Sequence, residues 1–192
     1  MMNNKYKIIA LFGEAGSGKD YIVKNIMKTE SGKRYLNKII SCSMRPPREG
    51  EIDGVHYHFF KTPEELIKQD TLEFTIFKDW WYGTTINSLD QDKINIGVFN
   101  IKSIDQLINK DYLNRINCIP IYIKTYPKIR LLRQLQRENE PDCDEIIRRY
   151  LTDQRDFLNI PFHYHVIENN YDEMQPIINE ILSLSRTMDK IN

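Results

Sequence analysis

A chain of 192 residues with 41% hydrophobic and 11% aromatic side chains is long enough to bury one sizeable core, with room for a smaller subdomain, and one globular unit is expected. Lysine plus arginine and aspartate plus glutamate balance at 27 each, so the protein has no overall field that would draw in a nucleic acid polymer or an anionic membrane, and any anion site must be local. Cys42, Cys118 and Cys143 are odd in number, far apart and without CxxC spacing, which predicts reduced thiols rather than a disulfide framework or zinc site. No apolar stretch approaches about 18 residues and MMNNKYK has no signal-peptide core, so the expected compartment is cytoplasmic.

In chain order, YKIIALF (Tyr6 to Phe12) predicts a buried strand, and Tyr21 to Met27 a helix with Ile22, Val23 and Ile26 on one face. Further strands are expected at Asn37 to Ser41, Ile94 to Asn100, Cys118 to Lys124 and Tyr164 to Glu168. Helices are expected at Ser103 to Lys110, at Pro127 to Arg137 with a proline suited to the first turn, at Asp144 to Leu158 and at Tyr171 to Ser185. This alternation implies an α/β fold with a parallel sheet covered by helices. Ser41 to about Lys93 is rich in turn signals, aromatics and β-branched residues, and predicts a mixed or antiparallel insertion. The expected organisation is a single domain: a core from residues 1–40 and 94–192, an inserted lobe over 41–93, and a lid at about 137–147, where a polar break around Glu138 to Cys143 separates two helices.

The stretch GEAGSGKDY joins the first strand to the first helix. Gly13, four residues, Gly18 and Lys19 fit G-x-x-x-x-G-K in the strand–loop–helix setting that motif requires. Glycines let backbone N–H groups turn inward around phosphate oxygens, the helix offers its positive end, and Lys19 reaches the β- and γ-phosphates of a triphosphate. The plain alternative is an ordinary glycine-rich turn. Asp20 stands where a Ser or Thr hydroxyl usually ligates Mg²⁺. It is either a favourable acid in the first helical turn, worth about 0.3–1 kcal/mol, or a Mg²⁺ ligand, direct or through water, bridging carboxylate to phosphate. The metal reading is preferred because INIGVFN ends in Asn100 and supplies no second acid.

SCSMRPPREGEIDGVHYHFF (Ser41 to Phe60), LEF (Leu72 to Phe74) and WWYGTT (Trp80 to Thr85) closely resemble the nucleotide-monophosphate lobe of guanylate kinases. That family shows S-x-T-T-R-x-P-R-x-G-E-x-x-G-x-x-Y-x-F, then a Glu near an aromatic, then Y-G-[ST]; the resemblance extends from the phosphate loop past the lid. It implies a P-loop fold with an inserted nucleotide-monophosphate-binding lobe and an arginine-rich lid, moving a phosphoryl group from ATP, with Mg²⁺, to GMP or dGMP to give ADP and GDP or dGDP. Two other readings stay open: a broader (deoxy)nucleoside monophosphate kinase, and a non-catalytic guanylate-kinase-like module that binds a protein.

The residues fit this resemblance chemically. Arg45 and Arg48, stiffened by Pro46 and Pro47, offer two guanidinium forks to a phosphate dianion. The resemblance assigns them, with Tyr57 and Tyr82, to the acceptor phosphate. Strand alternation turns His56 and His58 away from Tyr57, and neither this pair nor His163 with His165 has partners at metal-ligand spacing. Guanine presents N1–H beside an exocyclic amine, and a carboxylate accepts both, so Glu73 should select guanine. By resemblance Ser41 and Thr84 join it as hydroxyl partners. Asn100 stands where the family usually has an aspartate contacting guanine, and Val98 where another acid is common; an amide both accepts and donates, which loosens selection.

For the triphosphate the resemblance implies Gly13, Glu14, Ala15, Gly16, Ser17, Gly18, Lys19, Asp20 and Tyr21, with Asn169 on the adenine side. Arg137 and Arg149 match phosphate-contacting arginines and join Lys19 as the catalytic set. Arg133 is a further candidate, and Arg148 exchanges with Arg149 if the alignment slips. Arg130, Arg148 and Arg155 read equally well as solvated helix faces.

Overall fold

The computed structural model describes residues 5–48, 50–77, 79–109, 115–137, 139–170 and 173–188. Its first sheet contains β1 (Tyr6–Phe12), β2 (Leu36–Lys38), β7 (Ile94–Val98), β8 (Ile116–Lys124) and β9 (His165–Glu168), in the order β2-β7-β1-β8-β9. Every neighbouring pair is parallel. β1 lies centrally, its residues Ile8 to Phe12 fully buried, because a parallel strand is covered on both faces and must be apolar on both.

Alternation along β1 divides the core. Ile9 and Leu11 pack with Ile22, Val23 and Ile26 of α1 (Lys19–Ile26) and with Ile177, Ile178, Ile181 and Leu182 of α7 (Met174–Met188). Ile8, Ala10 and Phe12 face the other way, against Ile104 and Leu107 of α4 (Ile101–Asn109) and against Phe157 and Phe162. Each such side chain contributes about 1.5–3 kcal/mol when fully buried. Two further helices, α5 (Pro127–Leu135) and α6 (Cys143–Asp156), connect β8 to β9.

A second, mixed sheet has the order β4-β3-β6-β5, from β3 (Cys42–Ser43), β4 (His58–Phe59), β5 (Thr71–Phe77) and β6 (Trp80–Thr85), with α3 (Pro63–Ile67) between β4 and β5. β3 and β4 run parallel, and the other pairs are antiparallel. Among the three cysteines, all free, Cys42 is buried, Cys118 partly covered and Cys143 exposed.

Several element ends differ from expectation. A short helix, α2 (Glu30–Tyr35), precedes β2; Thr29 caps it by accepting the Gly32 N–H at 2.9 Å, and Gly32 inside it weakened the helical signal. β2 stops at Lys38 rather than Ser41, although the Ile39 N–H still donates to the Ile96 carbonyl. β7 ends before Asn100 because the Asn100 side chain caps α4 by accepting the Ser103 N–H at 2.8 Å, which starts that helix at Ile101. α5 closes at Leu135, two residues before Arg137. Lys110, Glu138 and Tyr171, at expected ends or in the expected break, lie outside the described residues.

Candidate active site

The loop between β1 and α1 is moulded by its neighbours. Gly16 has φ 80°, and a Cβ there would sit 2.5 Å from the Arg130 carbonyl oxygen; Gly18 has φ 90° and would meet the Asn169 carboxamide at 2.6 Å. Only glycine tolerates both the backbone and the approach. Ser17 is fully buried, and its carbonyl accepts from Asn169 Nδ2 at 2.8 Å and Thr125 Oγ1 at 3.3 Å. Lys19 Nζ donates to the Gly13 carbonyl at 2.6 Å, the Glu14 carbonyl at 3.0 Å and Ser17 Oγ at 3.1 Å. Burial lowers the pKa of this ammonium, while Asp20, Asp153 and Glu14 pull it back up.

A carboxylate absent from the sequence expectations completes the loop. The Ala15 N–H donates to Asp153 Oδ2 at 2.6 Å. Burial raises the Asp153 pKa, against the Ala15 hydrogen bond and the charges of Lys19 and Arg130. The same face of α6 carries Asp156 to the cleft wall and is followed by Phe157, whose ring stacks on Phe12. That spacing, acids three apart ahead of a core aromatic, was the available signal.

The solvated reading of Arg130 is overturned: it is 2% exposed. Its guanidinium lies 3.6 Å from Glu14 Oε1 and 3.9 Å from Asp153 Oδ2, over the Tyr150 ring. Glu14 therefore turns its side chain beneath the loop. Arg133 Nη1 donates to the Asn169 carbonyl at 3.3 Å. Asn169 itself is 2% exposed and supports the loop backbone from below.

In the second sheet, Arg45 and Glu51 form a double hydrogen bond, 2.6 Å at each arm, and Glu51 also accepts the Arg48 N–H at 2.8 Å. These contacts hold the Glu51 carboxyl well below its usual range, at about 2. Arg45 stands over the rings of Tyr57 and Phe59, and Tyr57 meets Tyr82 edge-on. The sequence reading missed Glu51 as the residue that aims Arg45, though it lies in the motif quoted for the resemblance. The Arg48 side chain is exposed.

Between the sheets lies a cleft of about 580 Å³, with Gly13 and Lys19 on one side and Ser41, Tyr57, Glu73 and Tyr82 on the other. Glu73 is 4% exposed and sits opposite Thr84 across the β5–β6 ladder. Thr84 Oγ1 is buried and has no hydrogen-bond partner among the described residues. Asn100 lines the cleft with both ends of its amide engaged, Oδ1 in the α4 cap and Nδ2 donated to Thr75 Oγ1 at 3.0 Å.

Other expected residues stand apart. Arg137 is exposed beyond α5, and Arg149 donates from Nε to Glu145 at 2.8 Å, as Arg148 does at 2.7 Å. Arg155 is exposed on α6, and Tyr21 is 61% exposed on α1. Asp20 is exposed in the first turn of α1, close enough that its charge bears on both Lys19 and Tyr57.

A parallel sheet with a glycine-rich phosphate loop at the end of its central strand, facing an arginine–tyrosine site on an inserted sheet, defines the class of P-loop nucleotide kinases. Residues 5–185 match the guanylate kinase family model. A guanylate kinase of Rickettsia felis is 32% identical over 192 residues, covering 96% of this chain and 97% of that protein; one of Sulfurimonas denitrificans is 28% identical, covering 96% and 91%. The crystal structure of guanylate kinase from Anaplasma phagocytophilum superposes with a TM-score of 0.65 at 15% identity, over 97% of this chain and 88% of that one. The chain belongs to the guanylate kinase family.

Proposed function

We propose that this protein transfers the γ-phosphoryl group of ATP to GMP or dGMP, giving ADP and GDP or dGDP. The observation that carries the reading is the shared cleft, which joins the Lys19 loop to Glu73, Tyr57 and Tyr82, with Arg45 standing over the Tyr57 ring. Glu73 accepts the guanine N1–H and exocyclic amine, with Ser41 and Thr84 as hydroxyl partners. Arg45 keeps part of its donor set for the acceptor phosphate while Glu51 fixes its plane, and Arg48, Tyr57 and Tyr82 complete the grip. An acceptor phosphate oxygen attacks the γ-phosphorus in line; its new P–O bond forms as the bond to the β–γ bridging oxygen breaks, and ADP leaves with those electrons.

Lys19 leaves its own loop carbonyls to offset charge on the transferred group, and closure brings Arg137 and Arg149 toward it. Gly13 to Tyr21 cradle the triphosphate, with Asn169 toward the adenine side. The exposed Asp20 is a hard oxygen donor at the mouth of the loop, which suits Mg²⁺; the ion would be held by Asp20 and phosphate oxygens and would neutralise developing charge. The inserted sheet acts as the acceptor lobe and the α5–α6 junction as the lid. Among the described residues no helix is long and apolar enough to cross a membrane, and cytoplasmic work on free nucleotides fits this reading.

Assaying ATP and Mg²⁺ against GMP, dGMP, AMP, CMP and UMP tests it. Turnover confined to GMP and dGMP is expected. Equal use of AMP and CMP would overturn the base assignment, and no turnover with any acceptor would overturn the kinase.

A further inference from the structure

We propose that Asp153 is a place-holder for polyphosphate: its carboxylate occupies the anion seat of the Gly13–Lys19 loop until ATP enters, then moves onto Arg130 and takes α6 with it. This rests on the reading of the loop as the ATP site.

The seat is filled from within. The Ala15 N–H, one of the donors a phosphate oxygen would use, is spent on Asp153 Oδ2 at 2.6 Å, a charge-assisted length. Lys19 is likewise folded onto the Gly13 and Glu14 carbonyls. The Asp153 side chain is 19% exposed, and burial raises its pKa against the opposing pull of the Ala15 N–H, Lys19 and Arg130. Two anions cannot share one donor in so enclosed a place; a phosphate that takes the Ala15 N–H must expel the carboxylate.

Arg130 is the ready destination. Its Nε and Nη1 are buried with no hydrogen-bond partner among the described residues, and Nη1 is already 3.9 Å from Asp153 Oδ2, inside ion-pair range but outside hydrogen-bond range. Idle guanidinium donors in the interior are costly, and a shift of about an ångström by the carboxylate satisfies one of them. Asp153 lies on α6, which also bears Arg148 and Arg149, so the exchange ties occupancy of the phosphate loop to the position of those arginines.

Calorimetric titration of the full chain with ATP, alongside the amide resonance of Ala15, tests the exchange. Asp153→Asn should bind ATP about tenfold more tightly, and the free-state Ala15 resonance should move upfield as its charged acceptor is lost. Saturation with ATP should bring the two proteins' Ala15 resonances together. Arg130→Met should weaken ATP binding several-fold in the native background, and much less in the Asp153→Asn background, because the seat matters only while the carboxylate needs it. Should the asparagine variant not fold, Asp153→Ala carries the same expectations. Unchanged or weaker ATP binding by a folded Asp153 variant overturns the exchange while leaving the kinase intact. Failure of the native chain to bind ATP overturns both.

Discussion

Glu51→Gln keeps the shape of the side chain and removes the charge that Arg45 grips. Native Glu51 makes two hydrogen bonds of 2.6 Å to the guanidinium and one of 2.8 Å to the Arg48 N–H. Contacts to a charged group are worth about 1.5–3 kcal/mol each in favourable settings. A carboxamide retains some of this, and water at a site 17% exposed screens part of the rest, leaving an expected loss of about 1–2 kcal/mol. The folded pKa, about 2, lies below the ordinary 4.5. Its stabilisation is therefore fully present above pH 4.5 and is lost as pH falls from 4.5 toward 2. Both tryptophans, Trp80 and Trp81, are on β6, so their fluorescence reports the sheet concerned. At pH 7 the variant should melt about 2–8 °C lower, and the two melting curves should converge through the stated window. A gap that persists unchanged at pH 3, or no gap at pH 7, would refute the reasoning. The KM for GMP should rise as Arg45 loses its fixed plane, with the KM for ATP unaffected.

Lys19→Ala should cut turnover by at least about 10²–10³ while leaving the far-ultraviolet spectrum native, and near-normal turnover would remove Lys19 from the chemistry. For Glu73→Gln, kcat/KM for GMP should fall by about 1–3 kcal/mol in transition-state terms with ATP binding unchanged. In Asp20→Asn the Mg²⁺ concentration for half-maximal rate should rise, and Asp20→Ser should retain more activity. A helix-end role would instead cost about 0.3–1 kcal/mol of stability with an unchanged Mg²⁺ titration.

The loop and the first core layer were legible in the sequence because their causes are local. Glycine spacing signals a loop backbone that favours glycine, the apolar run YKIIALF marks a buried strand, and the spacing of Ile22, Val23 and Ile26 marks the helix face that packs with Ile9 and Leu11. The fates of Arg130 and Asp153 were not legible, because each depends on residues distant in sequence: Glu14 is 116 positions from Arg130, and Ala15 is 138 from Asp153. Charge on an amphipathic helix ordinarily means solvent, and only the contacts of α5 and α6 with each other and with the loop after β1 reveal that this face is covered. Asn100 shows the reverse case. Its position beside the cleft was readable by analogy, whereas the engagement of its amide by Ser103 and Thr75 required the strand-to-helix turn itself.

The uneven covering of the three thiols makes the chain its own labelling scaffold. Cys42 is buried with its thiol pushed up to about 11, and burial pushes the partly covered Cys118 thiol up to about 12, so neither readily forms the thiolate that attacks at neutral pH. Cys143 is exposed at the first residue of α6. A maleimide dye should therefore attach at one place without any cysteine being engineered in or out, and that place is the first residue of the helix that carries Asp153.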